Sequence, residues 1–333
     1  MALVLLSLAA VRSTVAMDLD GLEKRRKAAH LPNGEVISYA EYGDPSGAAI
    51  VLIHGYTDNA RDWVPMLPFM PRRYHLILPD LRGHGHSGKP ECCYGRLDFA
   101  YDIKLLMDAL HVQKADIIGH SLGSVIAQTF AEYWPERTSR VVLISSTGGT
   151  PPSGTLLGGT PPSGTPPSGT PPSGTPPSGT PPSGTPPRAA SSKSAAADFV
   201  AQIDRLHEPL DPDSPFMIAW WDSPTPVDPE FIRRQRQDAA RIPLRVWRAV
   251  LDQGLHSNDL YADLQRDLPR LKAPTLLIWG SIDPIMDEAV RQTLRDALPR
   301  AQVKIFDGLG HNPFWENPAE VAGVIAAFLQ RTD

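Results

Sequence analysis

ADIIGHSLGSVIAQTFAEYW, residues 115–134, is the stretch from which the fold is read. Its first five residues are mostly apolar and suit a short buried strand. Gly119-His120-Ser121-Leu122-Gly123 follows, and then a run compatible with a helix. A strand that turns straight into a helix through two glycines leaves the side chain at the bend projecting from the sheet edge. That side chain is Ser121. The helix start behind it presents backbone N–H groups with no intrahelical acceptor, close to where an oxyanion would form. The reading is a nucleophilic serine, with the Leu122 N–H as one oxyanion donor.

Other strand-like runs lie on both sides: 36–42, 49–54, 75–79, 141–145, 275–280 and 303–306. Several are continuously apolar, such as IVLI at 50–53 and LLI at 276–278. Such runs suit strands covered on both faces by helices. Helical patterns alternate with them, at 97–110 and 316–330 among others. The fold class is therefore α/β, a mostly parallel sheet flanked by helices. The region 191–268 reads differently, with helical patches, proline interruptions and no clear strand. It is expected to form a helical lid inserted after the sixth core strand. The expected organisation is an N-terminal extension (1–29), core (30–147), linker (148–190), lid (191–268) and second core segment (269–333).

A serine hydroxyl needs a base. Of ten histidines, His311 is the candidate, because it follows the strand VKIF through a glycine-rich turn and precedes the last helix. Its ordinary pKa of ~6.5 suits proton exchange near neutrality. An imidazole acting as base needs a carboxylate behind it. Asp283, three residues past the end of strand TLLIWG, fills that role, and Asp287 and Glu288 are the nearby alternatives. The order Ser, Asp, His is one that such triads use. The second oxyanion donor is expected from the Tyr56 N–H in HGYTD (54–58), just after strand AIVLI. One such donor is typically worth ~2.7–4 kcal/mol in the transition state. Tyr56, Trp220, Trp221 and Trp247 are candidate substrate-lining side chains, with core packing the competing role for the tryptophans.

With HGYTD (54–58), PDLRGHGHS (79–87), GHSLG (119–123), WGSID (279–283) and GLGHNPFWENP (308–318) together, the chain resembles the α/β-hydrolase superfamily, in its lid-bearing branch of serine esterases and lactonases. The resemblance implies the triad and oxyanion hole already placed, no cofactor, and structural roles for His84 and His86, so no metal is expected. Serine at the bend disfavours epoxide and haloalkane chemistry, which relatives perform with aspartate there. The expected activity is hydrolysis of a carboxylic ester or lactone of a fairly apolar small molecule. C–C bond hydrolysis of ring-cleavage products, cofactor-free haloperoxidase or perhydrolase activity, and a slow-turnover ligand receptor are the alternatives.

Lys and Arg number 32 against 37 Asp and Glu, which disfavours nucleic acid as a partner. No apolar run reaches the ~18–20 residues of a membrane span. Cys92 and Cys93 are adjacent, which argues against an ordinary disulfide. Residues 2–11 (ALVLLSLAAV) belong either to a signal peptide ending near Ala16 or to an extension upstream of a start at Met17. The first makes the protein secreted and the second cytoplasmic. The absence of a basic residue before the apolar run tips the expectation toward the second. Thr-Pro-Pro-Ser-Gly repeats from Thr160 to Gly184 account for many of the 35 prolines. Paired prolines forbid helix and offer no core, so a disordered linker of polyproline-II character is expected. Deleting 160–184 should leave the melting temperature nearly unchanged; a large drop in a thermal melt would show that the segment packs.

Overall fold

Eight strands form one sheet: β1 (Arg26–His30), β2 (Val36–Gly43), β3 (Ala49–Ile53), β4 (His75–Pro79), β5 (Ala115–His120), β6 (Thr138–Ile144), β7 (Thr275–Gly280) and β8 (Gln302–Phe306). The spatial order is β1-β2-β4-β3-β5-β6-β7-β8. β2 runs antiparallel to β1 and β4, and all other pairings are parallel. The helices in chain order are α1 (Gly21–Lys24), α2 (Arg96–Ala109), α3 (Leu122–Tyr133), α4 (Pro215–Trp220), α5 (Pro229–Ala239), α6 (Leu244–Val250), α7 (Asn258–Asp267), α8 (Glu288–Ala297), α9 (Pro313–Glu316) and α10 (Pro318–Leu329). This computed structural model describes residues 18–148, 200–255 and 258–331. The readings of residues 1–16 and of the Thr-Pro-Pro-Ser-Gly repeats concern residues outside those described.

β3, β5 and β7 are buried at every position; β3 runs apolar throughout for that reason, while β5 carries Asp116 and His120 into the interior. β8 is the last strand of the sheet, and its burial alternates. α3 starts directly from β5, and all its residues but Tyr133 are buried. The consequence is that the bend between β5 and α3 is carried by a fully buried strand and an almost wholly buried helix.

Three details depart from the sequence reading. The sheet starts at Arg26, inside the segment read as an extension, because β1 pairs antiparallel with β2. RKAAH is half-exposed or exposed throughout, so it carries no apolar pattern to read. The last helical pattern, 316–330, is α10, which starts two residues later because Pro318 opens it, and a separate short helix, α9, ends just before it at Glu316. Cys92 and Cys93 are joined in a vicinal disulfide, in a turn where Cys93 has φ +75°.

Between β6 and β7 the described insert is helical: α4 to α7. Ser214 caps α4 through its hydroxyl, and Asp228 caps α5 by accepting from the Glu230 and Phe231 amides. Proline opens both helices, where its missing N–H costs nothing. Met217, Phe231, Val246 and Trp247 are fully buried and anchor the insert to the core. No described helix is long and apolar enough to cross a membrane.

The PDLRGHGHS loop is bound into the core by its charged residues. Asp80 accepts from the Ala60 and His86 amides, each at 2.8 Å, and pairs with Arg26 at 2.6 Å. Arg82 holds Asp102 through two 2.6 Å bonds. His84 is buried, with Nδ1 2.9 Å from the Arg82 carbonyl, whereas the side chain of His86 is more than half exposed.

Candidate active site

Ser121 has φ +50° and ψ −116°. For a residue with a Cβ, a left-handed conformation costs roughly 1–3 kcal/mol and needs surroundings that enforce it. Here they do. A Cβ at Gly119 would lie 2.0 Å from the Gly123 carbonyl oxygen, and one at Gly123 would lie 2.1 Å from that of Ile53. Gly119 is therefore required for α3 to fold back against the end of β5, and Gly123 for it to pass so close to β3. The Ser121 amide bonds the Ile144 carbonyl at 2.9 Å, which fixes the bend to β6. Leu122, the first residue of α3, is fully buried.

His311 and Asp283 meet. His311 Nδ1 lies 2.8 Å from Asp283 Oδ2, and Asp283 Oδ1 accepts from the Ile285 and Met286 amides at 2.8 and 3.1 Å. The carboxylate pins the tautomer, so Nδ1 carries the hydrogen and Nε2 faces away from the pair. Burial pushes the Asp283 carboxyl up, but the charge and hydrogen bond of His311, with the two amides, outweigh it and leave the group below its ordinary value. For His311, burial alone would lower the pKa. Asp283 outweighs that, Asp62 adds to it, and the imidazole ends above its ordinary 6.5.

The His311 loop is anchored beside the bend. Its carbonyl accepts from Ser145 Oγ at 2.8 Å and from His120 Nε2 at 3.1 Å. The His120 and His311 rings lie 5.1 Å apart. Glu316 accepts the Gly310 amide on both oxygens at 3.0 Å, and Thr225 of the insert donates to it at 3.0 Å. Asp287, weighed at sequence level as another acid, instead caps α8 by accepting from the Val290 amide.

On the other side, His54 receives the Leu81 amide at Nε2 (2.9 Å) and presents Nδ1 to the Gly55 carbonyl at 2.8 Å. Its hydrogen therefore sits on Nδ1. Burial holds its pKa down at about 3, so it stays neutral and braces the loop that carries Tyr56. The Tyr56 ring is buried, and its hydroxyl donates to the Trp247 carbonyl at 2.8 Å. Trp220 Nε1 donates to Thr57 Oγ1 at 2.9 Å, and Trp221 Nε1 to Asp58 Oδ1 at 3.3 Å. All three tryptophans of the insert thus fasten to the loop after β3. Trp221 and Trp247 are buried, and Trp220 is half-buried.

Sequence reasoning gave no role to Asp58, Asp62 and His120. Their donor atoms lie within 4.8 Å of one another, and they form the one group with metal-ligand spacing identified among the described residues. The signal was faint: Asp58 closes HGYTD, Asp62 precedes Trp63, and His120 precedes the serine, but nothing in the spacing says that they converge. Two surface depressions, of 350 and 580 Å³, are lined by residues around Arg61 and Arg234 and around Leu268 and Leu298. Neither includes a residue of this site.

Comparison with known proteins places these features in context. The profile of the alpha/beta hydrolase fold matches residues 48–158 and 230–318. An uncharacterized protein of Mycobacterium tuberculosis is 27% identical over 86% of this chain and 77% of its own length. Lipase 1 of Psychrobacter immobilis is 26% identical over 91% of this chain and 83% of its own. Among solved structures, an esterase from Rhodococcus sp. ECU1013 superposes with a TM-score of 0.68 at 19% identity, covering 93% of this chain and 100% of the other. At that identity the likeness bears on the fold alone.

Proposed function

We infer that this chain, which belongs to the α/β-hydrolase fold family, is a serine hydrolase that cleaves carboxylic esters or lactones of apolar small molecules through an acyl-enzyme. The observation that carries the reading is the His311–Asp283 bond at 2.8 Å, on a loop hydrogen-bonded to the residue before Ser121. The names of similar proteins, a lipase and an esterase, agree with it.

In this mechanism His311 Nε2 takes the Ser121 proton as Oγ attacks the ester carbonyl. Asp283 steadies the imidazolium. The Tyr56 and Leu122 N–H groups hold the oxyanion. His311 then gives its proton to the departing alkoxide, leaving an acyl group on Ser121. Water, deprotonated by the same imidazole, attacks the acyl carbon and releases the acid with Ser121 restored. The helices α4 to α7 act as the lid. Trp220, with part of its surface exposed, is the tryptophan best placed to touch substrate, while Trp221 and Trp247 support it. No cofactor enters this scheme.

A panel of p-nitrophenyl esters of graded acyl length, with lactones and vinylogous diketones beside it, tests the assignment. Neutral aliphatic or aromatic acyl esters, or lactones, should turn over at ordinary rates of ~1–1,000 per second. Preference for short charged acyl groups, or for C–C cleavage over ester cleavage, would contradict it.

A further inference from the structure

The groups that surround His311 from behind converge on one ring nitrogen. His120 Nε2 contacts the His311 carbonyl, which only accepts, so Nε2 carries the hydrogen and neutral Nδ1 presents a lone pair. His120 is 1% exposed, and its Nδ1 has no hydrogen-bond partner among the described residues. It faces two carboxyls of the loop after β3. Asp62 Oδ2 is 3.5 Å away, and an oxygen of Asp58 lies within 4.8 Å. A Cβ at Gly55 would sit 2.8 Å from Asp58 Oδ2 and 2.9 Å from His120 Nδ1, so both atoms border the same face of Gly55. A lone pair turned toward buried carboxylate oxygens requires a proton or a cation between them.

The hydrogen bonds indicate which carboxyl holds the proton. Asp62 accepts from Trp315 Nε1 at 2.8 Å and more weakly from the Gly55 amide at 3.4 Å. Among the described residues the Asp58 carboxyl accepts only from Trp221 Nε1, at 3.3 Å. Negative charge is better supported on Asp62. We propose that Asp58 is a neutral acid whose proton is directed at His120 Nδ1, and that Asp58, Asp62 and His120 together are positioning residues for the serine chemistry. The proposal rests on the hydrolase reading above. The unit ties together the loop carrying Tyr56, the bend carrying Ser121, the His311 loop and, through Trp221, the insert. Burial drives both carboxyls upward, with Asp62 reaching about 7 and its charge raising Asp58 further. His120, also buried, is held down at about 3.

The unit also acts on His311 electrostatically. The titratable groups facing that imidazole and its loop are Asp283 after β7, Asp58 and Asp62 after β3, His120 at the end of β5 and Glu316 of α9, with His54 beyond His120. Ionised Asp62 favours the imidazolium, so its removal should lower the pKa of the base.

The test measures kcat and KM for a p-nitrophenyl ester across pH in Asp58→Leu, Asp58→Asn, Asp62→Asn and Ser121→Ala, with metal content determined on the purified wild type. Asp58→Leu should lower kcat by about tenfold or more with KM little changed, since Nδ1 loses its donor. Asp58→Asn, whose amide N–H takes the place of the acid proton, should restore most of that loss. Asp62→Asn should move the acid limb of kcat/KM downward by about half a pH unit or more. The proposal is overturned if Asn at 58 is as damaging as Leu, or if the limb stays in place in Asp62→Asn. It is also overturned if the wild type holds one equivalent of a divalent metal whose chelation abolishes activity, because a cation would then fill the gap. Activity retained in Ser121→Ala would instead overturn the hydrolase reading, so the two failures are distinguishable.

Discussion

Replacement of Ser121 by alanine is expected to cut turnover roughly 10³- to 10⁶-fold while leaving the melting temperature close to wild type. In the proposed mechanism Oγ is the atom that forms the acyl bond, and the bend is held by contacts that do not involve it. The Ser121 amide keeps its bond to the Ile144 carbonyl. Gly119 still allows α3 to fold back on β5, and Gly123 its close passage to β3. Alanine bears the left-handed backbone at the same order of cost as serine. Steady-state assays on the best ester of the panel, with a thermal melt of the same preparation, check both halves. A variant that melts normally and still turns over would place the nucleophile elsewhere.

Asp283→Asn should be nearly as damaging, roughly 10⁴-fold in kcat. Asparagine can still accept the Ile285 and Met286 amides through Oδ1, where Asp283 accepts them now, so the loop should hold. Its amide NH₂ would then face His311 Nδ1, where a carboxylate oxygen accepts at 2.8 Å. A donor there forces the ring hydrogen onto Nε2, and the imidazole can no longer take the serine proton. The pH profile gives a second reading. In the wild type His311 sits above 6.5, raised by Asp283 against the opposing effect of burial. Only the neutral imidazole is a base, so kcat/KM should rise with pH through a limb above ~6.5. Without the Asp283 charge the imidazolium is less favoured, and the residual activity should show that limb at lower pH. A limb that does not move would separate Asp283 from the base.

Most of what positions the site was legible because it is local. Continuous apolar runs marked β3 and β7, a mostly apolar run marked β5, and the bend was marked by Gly119 and Gly123, whose roles are steric and local in sequence. Chain order, with strand ends as markers, put Asp283 and His311 on neighbouring loops, and they meet. The unread parts are those that depend on distant partners. β1 is a strand because β2 offers an edge, not because RKAAH alternates. The last helix starts at Pro318, two residues after the start of the pattern read for it, and the short helix before it carries no pattern long enough to read. Asp58, Asp62 and His120 look like a loop acid, a helix-start acid and a motif filler. Only packing brings them within 4.8 Å of each other and away from water. The burial of the Tyr56 ring under the insert, with its hydroxyl on the Trp247 carbonyl, likewise depends on a partner 191 residues away.

The most direct measurement is covalent. The native enzyme is treated with a fluorophosphonate ester, which reacts with activated serines, and the adduct is mapped by mass spectrometry of peptides. One adduct per chain on Ser121, forming in step with loss of esterase activity and absent from Asp283→Asn within the same time, is the predicted result. An active enzyme that stays unmodified, or one that carries the adduct on another residue, would contradict a nucleophile at Ser121.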